Sequence, residues 1–78
     1  MNIRIIARTN LGNEFRIMGG QDGLTSERIK DARGNEVHDE IIRGNRLSFD
    51  GSSFTFYEGD DRTGQIFGQP SIQELQIT

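Results

Sequence analysis

A chain of 78 residues with 10 Gly, 1 Pro and no Cys is long enough for one core and too short for two, because a domain of this size buries only roughly 60% of its unfolded surface. The lack of cysteine excludes disulfide staples, and a single His without Cys excludes a structural zinc set, so stability must come from packing or from packing plus self-association. A net charge of −3 argues against a general binder of phosphate backbones, which carries a basic excess.

The start, Met1-Asn2-Ile3-Arg4, lacks a basic region followed by a long apolar stretch, and no later run approaches the roughly 20 apolar residues of a membrane helix. Together with the missing cysteines, this gives the expectation of a cytoplasmic protein with no membrane partner. The first run, Ile3 to Arg8, alternates with a period of two. Ile3, Ile5 and Ala7 share one face, and Arg4, Ile6 and Arg8 share the other. Thr9-Asn10-Leu11-Gly12-Asn13 supplies residues that accept positive φ, so a tight hairpin is predicted into Glu14-Phe15-Arg16-Ile17-Met18, with Phe15 and Ile17 inward.

Gly19-Gly20-Gln21-Asp22-Gly23 lacks the Lys-Ser/Thr of a phosphate-cradling loop and reads as a flexible connection. Residues 25–34 carry cap-like residues at both ends, but Ile29 and Ala32 are their only apolar side chains. A strand leading into a turn at Asp31 to Asn35 is therefore preferred to a short helix. His38-Asp39-Glu40 groups the only imidazole with two carboxylates. In a strand, His38 and Glu40 would share a face, yet no third ligand stands at metal spacing, and the segment reads as a solvated strand.

Leu47-Ser48-Phe49 and Phe54-Thr55-Phe56 flank Asp50-Gly51-Ser52-Ser53, which predicts a hairpin with a primed turn and places Leu47, Phe49, Phe54 and Phe56 at the heart of the core. Glu58 to Gly64 follows as a polar loop, then a short strand Gln65-Ile66-Phe67, and a last strand in which Leu75 and Ile77 alternate. These elements sum to a single all-β domain over residues 1–78. It is expected to be a small antiparallel barrel built from hairpins, or a compact two-layer sandwich, of roughly six to eight short strands.

No catalytic or cofactor motif stands out, and the expectation is a protein that is not an enzyme and needs no cofactor or metal. Basic residues outnumber acidic ones six to four in residues 1–33, whereas acidic residues lead eight to three in 34–78. The outward face of the first hairpin gathers Arg4, Ile6, Arg8, Arg16 and Met18, a mixture of guanidinium groups and adaptable apolar surface that suits a protein partner. Glu58, Asp60 and Asp61 offer a complementary electrostatic contact, and could receive an arginine from a partner or from a second copy of the chain. The leading expectation is a protein-binding module, a small accessory subunit or an inhibitor-type regulator, docking on a larger protein through a sheet face or edge. A nucleic-acid-binding small barrel using the arginines of the first hairpin comes second. A self-assembling protein, whose edge strands poor in Lys and Pro pair between copies, comes third.

Overall fold

The computed structural model describes residues 2–78. Eight strands follow one another with no helix between them: β1 (Ile3–Thr9), β2 (Glu14–Gly20), β3 (Gly23–Lys30), β4 (Glu36–Gly44), β5 (Arg46–Phe49), β6 (Phe54–Glu58), β7 (Asp61–Ile66) and β8 (Pro70–Ile77). They form two antiparallel sheets, a five-stranded one in the order β4-β3-β2-β1-β8 and a three-stranded one in the order β5-β6-β7. Every strand pairs with a chain neighbour except in one place, where β8 returns to lie beside β1.

Turn chemistry accounts for the hairpins. Gly12, at φ 92°, closes the β1–β2 turn, in which its N–H donates to the Thr9 carbonyl. The Asp31 carboxylate accepts the N–H groups of Arg33 and Asn35 and fixes the β3–β4 turn. Asp50 does the same for Ser52 and Ser53, so the third hairpin closes through a four-residue loop held by an aspartate rather than through the two-residue primed turn that Asp-Gly suggested.

Two further segments depart from expectation. The glycines at 19, 20 and 23 belong to β2 and β3 and frame a tight hairpin instead of a flexible connection. A Cβ on Gly19 would sit 2.5 Å from Ile3 Cγ2 and 2.6 Å from Leu24 Cδ2, so glycine is needed there for packing. The polar stretch after Glu58 is strand almost at once, since β7 starts at Asp61. Residues 23–30 are strand, as preferred.

The core lies between the two sheets. Ile5, Ala7, Phe15 and Ile17 of the larger sheet meet Phe54, Phe56 and Ile66 of the smaller one, with Ile3, Leu24, Ile42 and Leu47 packed around them. The inward positions of β1 and β2 are those the two-residue alternation predicts. Gly44 is the corner at which the chain leaves the larger sheet for the smaller one. Its Cα stands so close to the next layer that a Cβ would lie 2.6 Å from the Tyr57 carbonyl oxygen, which also accepts the Asn45 N–H at 2.8 Å.

One residue of the expected aromatic heart lies elsewhere. Phe49 shares a face with Phe54, their ring centroids 5.0 Å apart, yet it is 53% exposed. The face assignment holds, but β5 is the edge of the small sheet, and its end lacks cover from the opposite layer.

Candidate functional site

The outer face of the first hairpin is assembled as the alternation implies, with Arg4, Ile6, Arg8, Arg16 and Met18 on the side away from the core. Neighbouring strands change its electrostatics. Arg4 meets Glu74 of β8 at 2.9 Å, Arg8 meets Glu14 at 3.3 Å, and Arg16 donates to Glu27 of β3 at 2.9 Å. Glu14 also faces Lys30 at 3.8 Å, and Glu27 faces His38 at 3.5 Å. This face is a ladder of cross-strand ion pairs, and each of the three arginines has a carboxylate against it. Ile6 stands in register with Arg16 on one side and Glu74 on the other. Although no second layer covers it, it is buried beneath the aliphatic stems of its charged neighbours. Met18 remains exposed.

Glu58, Asp60 and Asp61 surround the exposed β6–β7 turn. Glu58 accepts from Asn45 Nδ2, and Asn45 Oδ1 accepts the Gly59 N–H, so the turn is tied to the sheet corner. Arg46 stacks over the Tyr57 ring at 4.2 Å, which engages the lone tyrosine within the chain. No three His, Cys, Asp or Glu side chains converge at metal-binding geometry among the described residues.

The His38-Asp39-Glu40 trio is separated by a bulge. Glu40 adopts φ 50°, uncommon for a residue other than glycine, at a break in the β3–β4 register. Glu40 is thereby turned to the side of Asp39, and both reach Arg28, whereas His38 stays on the other face against Glu27; a regular strand would have kept Glu40 with His38. Arg28 makes a two-pronged contact with Asp39, at 2.7 Å from Nε and 2.6 Å from Nη2, and donates from Nη1 to Asn13 Oδ1. The hydrogen bonds from Arg28 hold the Asp39 carboxyl below its ordinary range. Asp31 and Asp50 are lowered too, chiefly by the backbone N–H groups of Asn35 and Ser52 respectively.

A cleft of about 530 Å³ opens between β4 and β7, lined by Leu11, Phe15, Glu40, Ile42, Arg62 and Phe67 among others. Its side chains include no imidazole, hydroxyl or thiol. Of its amides, Asn13 is engaged by Arg28, and Gln65 donates to Ser53. His38 lies outside it. Space for a small molecule is present, but no convergent set of reactive groups.

The most distinctive surface is β8, a strand that alternation alone does not single out. Ile77, Leu75 and Ile72 stand in register with Ile3, Ile5 and Ala7 and so point to the core side of the sheet, yet all three are about half-exposed. The small sheet does not extend over β8. The strand also has an open backbone edge. Asn2 and Thr78 exchange both of their hydrogen bonds, at 2.7 and 2.9 Å. Alternation along an antiparallel pair then turns the N–H and C=O groups of Gln76 and Glu74 toward β1, and those of Leu75 and Ile77 away from it. The other edge of this sheet, β4, is blunted by its bulge and by Glu36, His38, Asp39, Glu40 and Arg43. On β8 the only charge is Glu74, neutralised by Arg4, and the only Pro is its first residue.

Fold and surface define an all-β protein of two packed antiparallel sheets with one long, unpartnered edge that carries a single charged side chain. Comparison with family models, with curated proteins and with solved structures finds no match. No helix among the described residues is long and apolar enough to cross a membrane.

Proposed function

We propose that this chain is a non-enzymatic protein-binding module of the cytoplasm, a small accessory subunit or inhibitor-type regulator, that docks on a larger protein by adding a strand of its partner to β8. The observation that carries this reading is the combination on one strand of outward N–H and C=O groups at Leu75 and Ile77 with the half-exposed apolar row Ile72, Leu75 and Ile77. Backbone groups supply affinity in strand addition, and alternate side chains supply selectivity. The arginine face is the weaker candidate for docking and for nucleic acid alike. A partner would have to displace a carboxylate at each arginine, and those carboxylates repel phosphate.

The test is capture of partners from lysate of the source cells in the presence of nuclease, using the native chain, a Leu75→Lys variant and an Arg4→Glu/Arg8→Glu/Arg16→Glu variant. Docking by the edge requires that a protein held by the native chain be lost with Leu75→Lys and retained with the arginine reversals. Loss on arginine reversal alone would move the contact to the hairpin face, and capture abolished by nuclease would favour nucleic acid.

A further inference from the structure

We infer that the β8 edge pairs with β8 of a second copy of this chain, forming a two-fold dimer in which the two five-stranded sheets become one sheet of ten. The inference rests on the reading of β8 as a docking edge and names the strand that occupies it in the free chain, a second copy that the strand of a larger protein would displace. Three observations on β8 carry it.

The first is the direction of the backbone. Leu75 and Ile77 are the residues whose peptide groups point outward, and they lie two apart in a segment, Glu74 to Ile77, that follows β1 in unbroken register. Laid antiparallel on itself with Gln76 at the axis, β8 places Leu75 of each copy opposite Ile77 of the other. Both pairs are then of the kind that exchanges two hydrogen bonds, so every outward group of the two residues finds a partner.

The second is the side chains. Residues opposite one another in a sheet share a face, so Leu75 and Ile77 of both copies meet on the core side and double an apolar row that each monomer leaves half-exposed. Leu47 and Ile77 line one small cavity with Ile3 and Leu24, which places the small sheet beside this row and gives the paired strands a wall on either side.

The third is charge. Like charges opposite one another would prevent self-pairing, and β8 has a single charged side chain, Glu74, already engaged by Arg4 at 2.9 Å. With Gln76 on the axis, Glu74 of one copy faces Thr78 of the other, so the two glutamates never meet. Such an interface closes on itself and cannot propagate. Only residues 74–78 of each copy face one another in this register, a short interface whose occupancy should depend on concentration.

The chain contains no cysteine, which permits a direct test of the register. Across a non-hydrogen-bonded antiparallel pair the Cα atoms are about 4.5 Å apart, within the range a disulfide spans. Position 76 is exposed in the monomer, and Gln76→Cys is expected to form a disulfide-linked dimer under mild oxidation, whereas Met18→Cys, at a position also exposed but on the hairpin face, does not. In sedimentation equilibrium, the mass of the native chain should rise toward twice that of the monomer with concentration. Leu75→Lys and Ile77→Glu should each remain monomeric, and their mixture should recover the dimer, because lysine and glutamate face each other in this register. Both side chains are more than half exposed, so neither change threatens folding, which circular dichroism verifies.

A native chain that stays monomeric at every concentration, or a Met18→Cys dimer as abundant as that of Gln76→Cys, overturns the second copy as the occupant. Docking by the edge would survive that result if Leu75→Lys still lost a captured protein, and would fall with it if Leu75→Lys lost nothing.

Discussion

Replacing Gly44 by alanine tests the corner that joins the two sheets. The added Cβ would lie 2.6 Å from the Tyr57 carbonyl oxygen, a backbone atom that can yield only by moving β6, and 3.3 Å from Thr63 Oγ1. The same oxygen accepts the Asn45 N–H at 2.8 Å, so relieving the clash also stretches a hydrogen bond. Overpacking of this kind costs about 1–3 kcal/mol, and a weakened hydrogen bond adds about 0.5–1.5 kcal/mol. The loss of chain entropy in the unfolded state offsets about 0.4–1 kcal/mol. A net destabilisation of about 2–3 kcal/mol follows, which for a domain this small lowers the thermal midpoint by about 10–20 °C. Gly20→Ala is the control: its Cβ would approach only the Asn2 side-chain oxygen, at 2.9 Å, and that side chain can rotate away into solvent. Urea and thermal unfolding of the native chain and both variants measure the difference. Equal midpoints for Gly44→Ala and Gly20→Ala would show that the corner is not held by the close approach of the two layers.

Two further outcomes follow from buried and paired polar groups. Ser26 is fully buried, and its hydroxyl has no hydrogen-bond partner among the described residues. Ser26→Ala should therefore leave stability unchanged or raise it by up to about 1 kcal/mol in urea unfolding, and a loss greater than that would reveal a partner for the hydroxyl. Asp39 has its carboxyl lowered by Arg28, so the unfolded chain binds the proton more readily. The resulting stabilisation is complete above the ordinary carboxylate value of about 3.9 and is lost as pH falls through the lower folded value. Asp39→Asn should flatten part of the acid limb of stability against pH, leaving the part due to Asp31 and Asp50, and an unchanged limb would exclude the Arg28 pair as its source.

The strands and most turns were legible in the sequence because their causes are local. Two-residue alternation placed Ile5, Phe15 and Ile17 inward, and Asp and Gly residues marked the turns at 31–35 and 50–53. The same alternation placed Arg4, Ile6, Arg8, Arg16 and Met18 on one face. What it could not supply was the strand order, and the carboxylates opposite Arg4 and Arg16 come from β8 and β3. Phe49 illustrates a related limit: periodicity assigns a side chain to a face, but not how far the opposing layer reaches. The bulge at Glu40 had no signal, since neither Gly nor Asn stands where φ turns positive. The β8 edge carried a faint one, an apolar alternation with a single charge, which acquires meaning only once the strand is known to lie at a border of its sheet.

The pairing of β8 with β1 also sets a timetable. Each of the other pairings joins strands adjacent in the chain, so the meander from β1 to β7 can zip from hairpins that close within microseconds. β1 receives its second neighbour only when residues 70–77 return across sixty residues of intervening chain, the largest loop closure in the fold. During synthesis the outer border of β1 stays bare until β8 has emerged from the ribosome. In the monomer, β8 should be the first strand of the larger sheet whose amides exchange with solvent.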